Sequence, residues 1–287
     1  MSDTTARLLV LVAALSWSTA GLFTRVLTTD IPTTLFGRSV SGGIFLLCIF
    51  LFRERPEKLR DILTFHFGEW MVAVLAAAGM IFFISAFYYT SIGNVSFMYG
   101  SMPILTSVLS VIVLRESVDS RGVLCCLLAS LGIFFIFAGG TNTEDLFGLF
   151  LAGMMALFMA MLTIAARYFE SVDFSKATYL SAFIACICVI PFVHIHQVDP
   201  TNALVLTLYG FVNVGLGFGL YLVGASRIPP ITAALIGLVE IPLAPIWGWA
   251  LFREKSNLNS VIGGVIIMSA VVYNLLRQQE RQVKADS

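Results

Sequence analysis

Polar residues fall in short clusters along this chain, and ten apolar stretches run between them, at about 8–27, 33–52, 70–90, 95–114, 121–138, 146–166, 177–195, 203–224, 231–251 and 259–276. Each is close to the roughly 20 residues that a helix needs to cross a hydrocarbon core of about 30 Å. The stretches are too long for barrel strands of about 9 to 11 residues, and strand-type alternation is absent. A helix in lipid satisfies every backbone group within itself. The pattern therefore predicts an all-α integral membrane protein with ten transmembrane helices.

Composition agrees with the pattern. Of 287 residues, 58% are hydrophobic and 12% charged, with a mean hydropathy of +0.92, against roughly 25% charged residues in soluble domains. The expected surroundings are a lipid bilayer, with no nucleic-acid partner. Lys and Arg accumulate on the cytoplasmic side of membrane proteins. With the N-terminus inside, the inner segments hold Arg7, Arg53, Arg55, Lys58, Arg60, Arg115, Arg121, Arg167, Lys176, Arg227, Arg277, Arg281 and Lys284, and the outer ones hold Arg25, Arg253 and Lys255. This asymmetry places both termini in the cytoplasm. The first stretch also has the outline of a secretory signal, ending in Ser18-Thr19-Ala20, but removing it would leave nine helices and spoil the symmetry that follows.

That symmetry is an internal repeat. Residues 97–116 read FMYGSMPILTSVLSVIVLRE and residues 235–254 read LIGLVEIPLAPIWGWALFRE; both end in Arg-Glu and both carry a Pro about a dozen residues earlier. The offset, 254 minus 116, is 138 residues, close to half the chain. Two units of five helices follow, 1–138 and 146–277, with a polar tail at 278–287. An odd number of crossings puts the second unit into the membrane upside down, which makes this an inverted repeat and alternating access the expected mechanism.

With these residues in view, the chain resembles the EamA-type transporters of the drug/metabolite transporter superfamily along essentially its whole length. Glu240, Gly248, Trp249 and Glu254 keep the spacing of that family's second-half motif. Trp17-Ser18 resembles its Trp-Gly/Ser pair, Arg38 an Arg common early in its second helix, and Met102-Pro103 takes the place of its Glu-Pro. One departure is that Ile241 separates Glu240 from Pro242 and Pro245. The resemblance implies a central cavity built from the first, third, fourth, sixth, eighth and ninth helices.

Glu240 is the chain's sharpest anomaly. At 1.5 Å per residue it lies roughly 14 Å into the ninth stretch, where a charge costs about 2.5 to 3.5 kcal/mol on insertion scales. It should face the interior, and Thr232, Ile236, Glu240, Leu243 and Trp247 make one helical face. Three roles fit it: a proton carrier whose charge state couples to substrate movement, a contact for a substrate amine, or a structural group bonded to backbone freed by Pro242 or to Arg38. Arg38, roughly 8 Å from the outer end of the second helix, either snorkels to the interface, forms a structural pair, or binds a carboxylate. Other cavity candidates are Trp17, Tyr88, Tyr99, Asn213, Tyr221 and Trp247, and Pro103, Pro242 and Pro245 are candidate bends. Ser96, Tyr99, Pro103, Thr106, Ser107 and Ser110 form a second polar face, although a Ser or Thr in a helix often bonds only to its own backbone.

The remaining chemistry is sparse. The five Cys lie in apolar stretches without metal-ligand spacing, the three His fall in loops or helix ends, and no phosphate-binding loop occurs. No catalytic residue, metal or cofactor is expected. Gly139-Gly140, Gly215, Gly217, Gly219 and Gly263-Gly264 suit close helix contacts. The expected function is a secondary transporter or facilitator of the inner membrane, moving a small-molecule substrate, an amino acid or related compound, in the export direction, with proton coupling as one energy source. The rival reading is a membrane sensor or interaction protein that binds a solute without moving it. Oligomeric state is left open by the sequence.

Overall fold

The computed structural model describes residues 3–54, 62–115, 120–139, 142–169, 172–225, 236–237 and 239–286, and no strand occurs among them. The first span is broken in two, α1 (Asp3–Ser18) and α2 (Ala20–Val26). It is followed by α3 (Ile31–Glu54), α4 (Phe67–Tyr89), a second broken pair α5 (Ile92–Tyr99) and α6 (Met102–Val113), α7 (Ser120–Ala138), α8 (Thr143–Tyr168) and α9 (Phe174–Val189). Then come α10 (Pro200–Tyr209), a π-helical turn at Gly210–Leu216, α11 (Gly217–Ala225), α12 (Glu240–Phe252) and α13 (Leu258–Asp286).

Seven helices among the described residues are long and apolar enough to cross a membrane. The fifth and tenth stretches appear as shorter apolar helices, Leu127–Ala138 and Leu258–Tyr273. The ninth is described from Glu240 onward; residues 231–235 and Leu238, with the Thr232 face position, lie outside the described residues, as do Arg55, Lys58, Arg60, Glu116, Gly140 and Arg227. Leu8, Ile44, Phe52, Ile112, Leu127, Phe134, Leu251 and Val265 are all exposed. Such a surface suits hydrocarbon, and the chain is a multi-pass membrane protein.

Helix ends are set by local chemistry. Ser91 accepts from the Asn94 N–H (3.1 Å), Asn142 from Asp145 (2.8 Å) and Asp199 from Asn202 (2.6 Å), each satisfying an orphan donor of the first turn. Glu69, buried at the start of α4, accepts from the His66 N–H at 2.8 Å. At the other end of the fourth and ninth segments, Arg115 and Arg253 both adopt left-handed backbone, φ 55° and 58°. They are equivalent residues of the two Arg-Glu motifs, and at Arg253 the turn returns its N–H to the Trp249 carbonyl.

Packing pairs the helices in a regular way. The main contacts are α4 on α8 and α1 on α11, α3 on α9, α7 on α13, and α5 on α12. Small residues allow the closest of these. A side chain on Gly132 would strike the Gly263 carbonyl and one on Gly263 the Gly132 carbonyl, so α7 and α13 touch backbone to backbone. Likewise a side chain at Gly210 would run into the backbone of Arg38 and Gly42, which brings the π turn hard against α3.

Candidate functional site

Side chains from four elements meet where the first span breaks. Within α1, Ser16 and Ser18 return their hydroxyls to the carbonyls of Val12 and Leu15 (2.9 and 2.8 Å), and Thr19 bonds the Ser16 carbonyl at 2.6 Å. Such back-bonding loosens a helix, and here it coincides with the break at Thr19. Asn213, from the π turn, donates Nδ2 to the Ser16 carbonyl at 3.0 Å and the Trp17 carbonyl at 3.3 Å. A π turn bulges one residue out of register and recurs at functional sites. From α12, Trp247 donates its indole N–H to Ser18 Oγ at 3.1 Å.

Arg38 joins the same junction from α3. It is 2% exposed, it donates Nη2 to Asn213 Oδ1 at 3.0 Å, and its guanidinium carbon lies 4.9 Å from the Tyr209 ring centroid. The snorkelling reading is corrected by this burial: Asn213 and Tyr209 hold the side chain inward, where a polar partner and a π face replace water. Its Nε and Nη1 make no well-formed hydrogen bond among the described residues; nor does the hydroxyl of Tyr209, although it lies close to the guanidinium, and the Tyr209 ring stacks on Phe23 at 4.9 Å.

Glu240 opens α12, partly buried, with Tyr99 and Tyr221 near enough to feel its charge. Tyr221 in turn packs against Trp17, ring centroids 5.2 Å apart, and Gly217 leaves room for the Trp17 indole. No hydrogen bond or ion pair reaches Glu240 among the described residues, Arg38 included. Trp17 and Tyr221 thus link the junction to Glu240 and Tyr99, while Trp247, Asn213 and Arg38 reach it through hydrogen bonds. Pro245 lies inside α12, and Pro242 in its first turn, where the missing N–H is no loss. Pro103 stands in the first turn of α6, directly after the break between α5 and α6; its side chain lies outside what the structure describes.

Tyr88 comes near enough to Tyr209 to feel its charge, but its hydroxyl is committed to other partners. Its hydroxyl bonds the Thr29 carbonyl (3.0 Å) and Thr34 Oγ1 (2.5 Å) at one end of the bundle. The same end carries His194 on Asp30 (2.5 Å), Asn202 on Thr28 (2.9 Å), and Arg25 on Glu254 (2.5 Å). Arg25 also donates to the carbonyls of Phe87 and Thr90, Glu254 accepts the Ile92 N–H at 3.0 Å, and Thr90 bonds Asp145. Burial works to raise the Asp30 carboxyl, but hydrogen bonds to Thr33 and the His194 ring outweigh it and hold the group below its ordinary value. Among the described residues, Thr106 and Ser110, from the predicted polar face, bond to the Met102 and Ser107 carbonyls of their own helix.

Sequence reasoning missed two participants. Tyr209 lies one turn before Asn213 and continues the four-residue spacing 213, 217, 221 backward, a signal that was there to read. Arg25 carried none, because nothing in the order of residues brings it to Glu254, 229 positions away. Among known proteins, a family model described as the EamA-like transporter family matches residues 4–138 and 146–276. A solved crystal structure matches with a TM-score of 0.66 at 20% identity, over 98% of this chain and 99% of that one, a likeness of fold alone. No curated protein matches the sequence.

Proposed function

Because the chain belongs to the EamA-like transporter family, we propose that it is a secondary transporter or facilitator that carries a small metabolite, an amino acid or related compound, out of the cell by alternating access. The observation that carries this reading is Glu240, a carboxylate with no partner among the described residues, close to Tyr99 and to the Tyr221 that packs on Trp17. An acid kept without a partner in apolar surroundings is expensive, and a solute amine or a proton offsets that expense when it binds.

The helix pairing supports two inverted five-helix units, 1–138 and 146–277. Exchanging first with sixth, second with seventh, third with eighth, fourth with ninth and fifth with tenth segments turns α1 on α11 into α8 on α4. The same exchange leaves α3 on α9, α5 on α12 and α7 on α13 unchanged. In the orientation favoured by the positive residues, with both termini cytoplasmic in an inner membrane, the end bonded through Arg25–Glu254 and His194–Asp30 is the outer one and is closed here. Solute would then enter from the cytoplasm and leave when those bonds part.

The test is uptake of radiolabelled amino acids into proteoliposomes with and without an inward proton gradient, comparing the natural chain with Glu240→Gln. Flux that needs the gradient and is lost in the variant supports coupling through Glu240. Flux indifferent to both makes the protein a facilitator with a structural Glu240, and absence of flux for every solute sinks the transport reading.

A further inference from the structure

The unfilled polar groups beside Arg38 are of one kind. Nε and Nη1 of Arg38 can only donate, Nη2 is already given to Asn213 Oδ1, and the Tyr209 hydroxyl has a hydrogen to give. Tyr209 is 0% and Arg38 2% exposed. Asn213, 2% exposed, is committed: its oxygen serves the guanidinium and its nitrogen serves the Ser16 and Trp17 carbonyls. The site is short of acceptors, and no carboxylate among the described residues forms an ion pair with Arg38. A buried guanidinium without a counter-ion is held against a steep desolvation cost unless an anion completes it.

We propose that Arg38 and Tyr209 form an anion subsite that takes the carboxylate of the transported solute, with Asn213 positioning the guanidinium. This rests on the transport reading and deepens it: the solute is a carboxylate-bearing molecule. Glu240 lacks a donor among the described residues as the Arg38 side lacks an acceptor, and a zwitterion offers each what it is missing. In the conformation described the subsite is sealed, and the carboxylate reaches it when the bundle opens. Guanidinium is suited to the task because it stays charged and offers several directed N–H groups. Arg38→Lys would keep the charge and three donors but lose the planar fork that directs them.

The probe is sodium propionate, with neutral propionamide as its near-isostere, on the purified full chain at constant ionic strength in sodium chloride, read by thermal unfolding. Propionate should raise the Tm of the natural chain by a few degrees and propionamide should not. Arg38→Met should abolish the propionate shift, and Tyr209→Phe, which removes only the hydroxyl, should weaken the apparent affinity several-fold. The Tyr209 variant answers the question even where Arg38→Met does not fold. Equal shifts from propionate and propionamide, or an undiminished propionate shift in both variants, overturn the subsite. The transport reading fails separately: propionate bound through Arg38 in a chain that moves no solute in vesicles keeps the subsite and removes the transporter. Undiminished amino-acid flux in Arg38→Met does the reverse.

Discussion

Glu254, just past the end of α12, accepts from Arg25 Nε at 2.5 Å and from the Ile92 N–H at 3.0 Å; Glu240, at the start of the same helix, has no such partner among the described residues. The basic residues divide the same way. Arg25 spends its guanidinium on Glu254 and the carbonyls of Phe87 and Thr90, while Arg38 leaves Nε and Nη1 unfilled. One acid and one base are mated where the first, third, fourth and ninth segments converge, and one acid and one base stand without such partners among the described residues. A charge with all its partners in place is accounted for by structure. A charge without them needs something from outside the chain.

The comparison breaks most visibly at Glu240. Glu240→Gln should lower proteoliposome flux at least tenfold while leaving the unfolding temperature within a degree or two, because no bond is lost. Glu254→Gln should do the opposite. It weakens a charge-assisted bond to Arg25, which is worth about 1.5 to 3 kcal/mol at most, toward the low end because both side chains are about one quarter exposed. The expected outcome is a Tm lower by several degrees with flux per folded molecule reduced far less. The exchange Arg25→Glu with Glu254→Arg should recover part of that loss, and equal losses of stability for Glu240→Gln and Glu254→Gln would erase the distinction.

Smaller effects sharpen it. Trp247→Phe removes the bond to Ser18 Oγ and should cost about 1 kcal/mol, with a change in flux rather than in expression if α12 and α1 move against each other. At the Tyr88 end, the Asp30 carboxyl is held below its ordinary 3.8. A depressed carboxyl contributes stability that is present above the unfolded value and lost as pH falls through the folded one. Thermal stability should therefore decline as the pH drops from about 3.8, and the decline should be shallower in Asp30→Asn, which is the less stable chain at neutral pH and converges with the natural one in acid.

Much of the architecture was legible because bilayer physics writes it into the residue order: apolar length gives the spans, and a sequence repeat gives the two matched units. Arg115 and Arg253, read as paired positions, share a left-handed turn. Arg38 was anomalous in sequence, yet its burial was not legible, since the residues that draw it inward sit on α10 and the π turn, more than 160 positions away. For Tyr88 the helix and its place near the end were legible, since the stretch 70–90 and the helix Phe67–Tyr89 agree, but the hydroxyl's partners Thr29 and Thr34, which lie more than 50 positions away, were not.

Asn213 carries a consequence of its own. Its amide is an asymmetric plug, oxygen toward Arg38 and nitrogen toward α1, and it fits in one sense only. Exchange of that one nitrogen for oxygen, as in Asn213→Asp, preserves the shape and reverses the meaning. The two carbonyls of α1 lose their donor, and Arg38 acquires a resident anion that never leaves. A chain so altered should fold and remain silent, filled permanently from within.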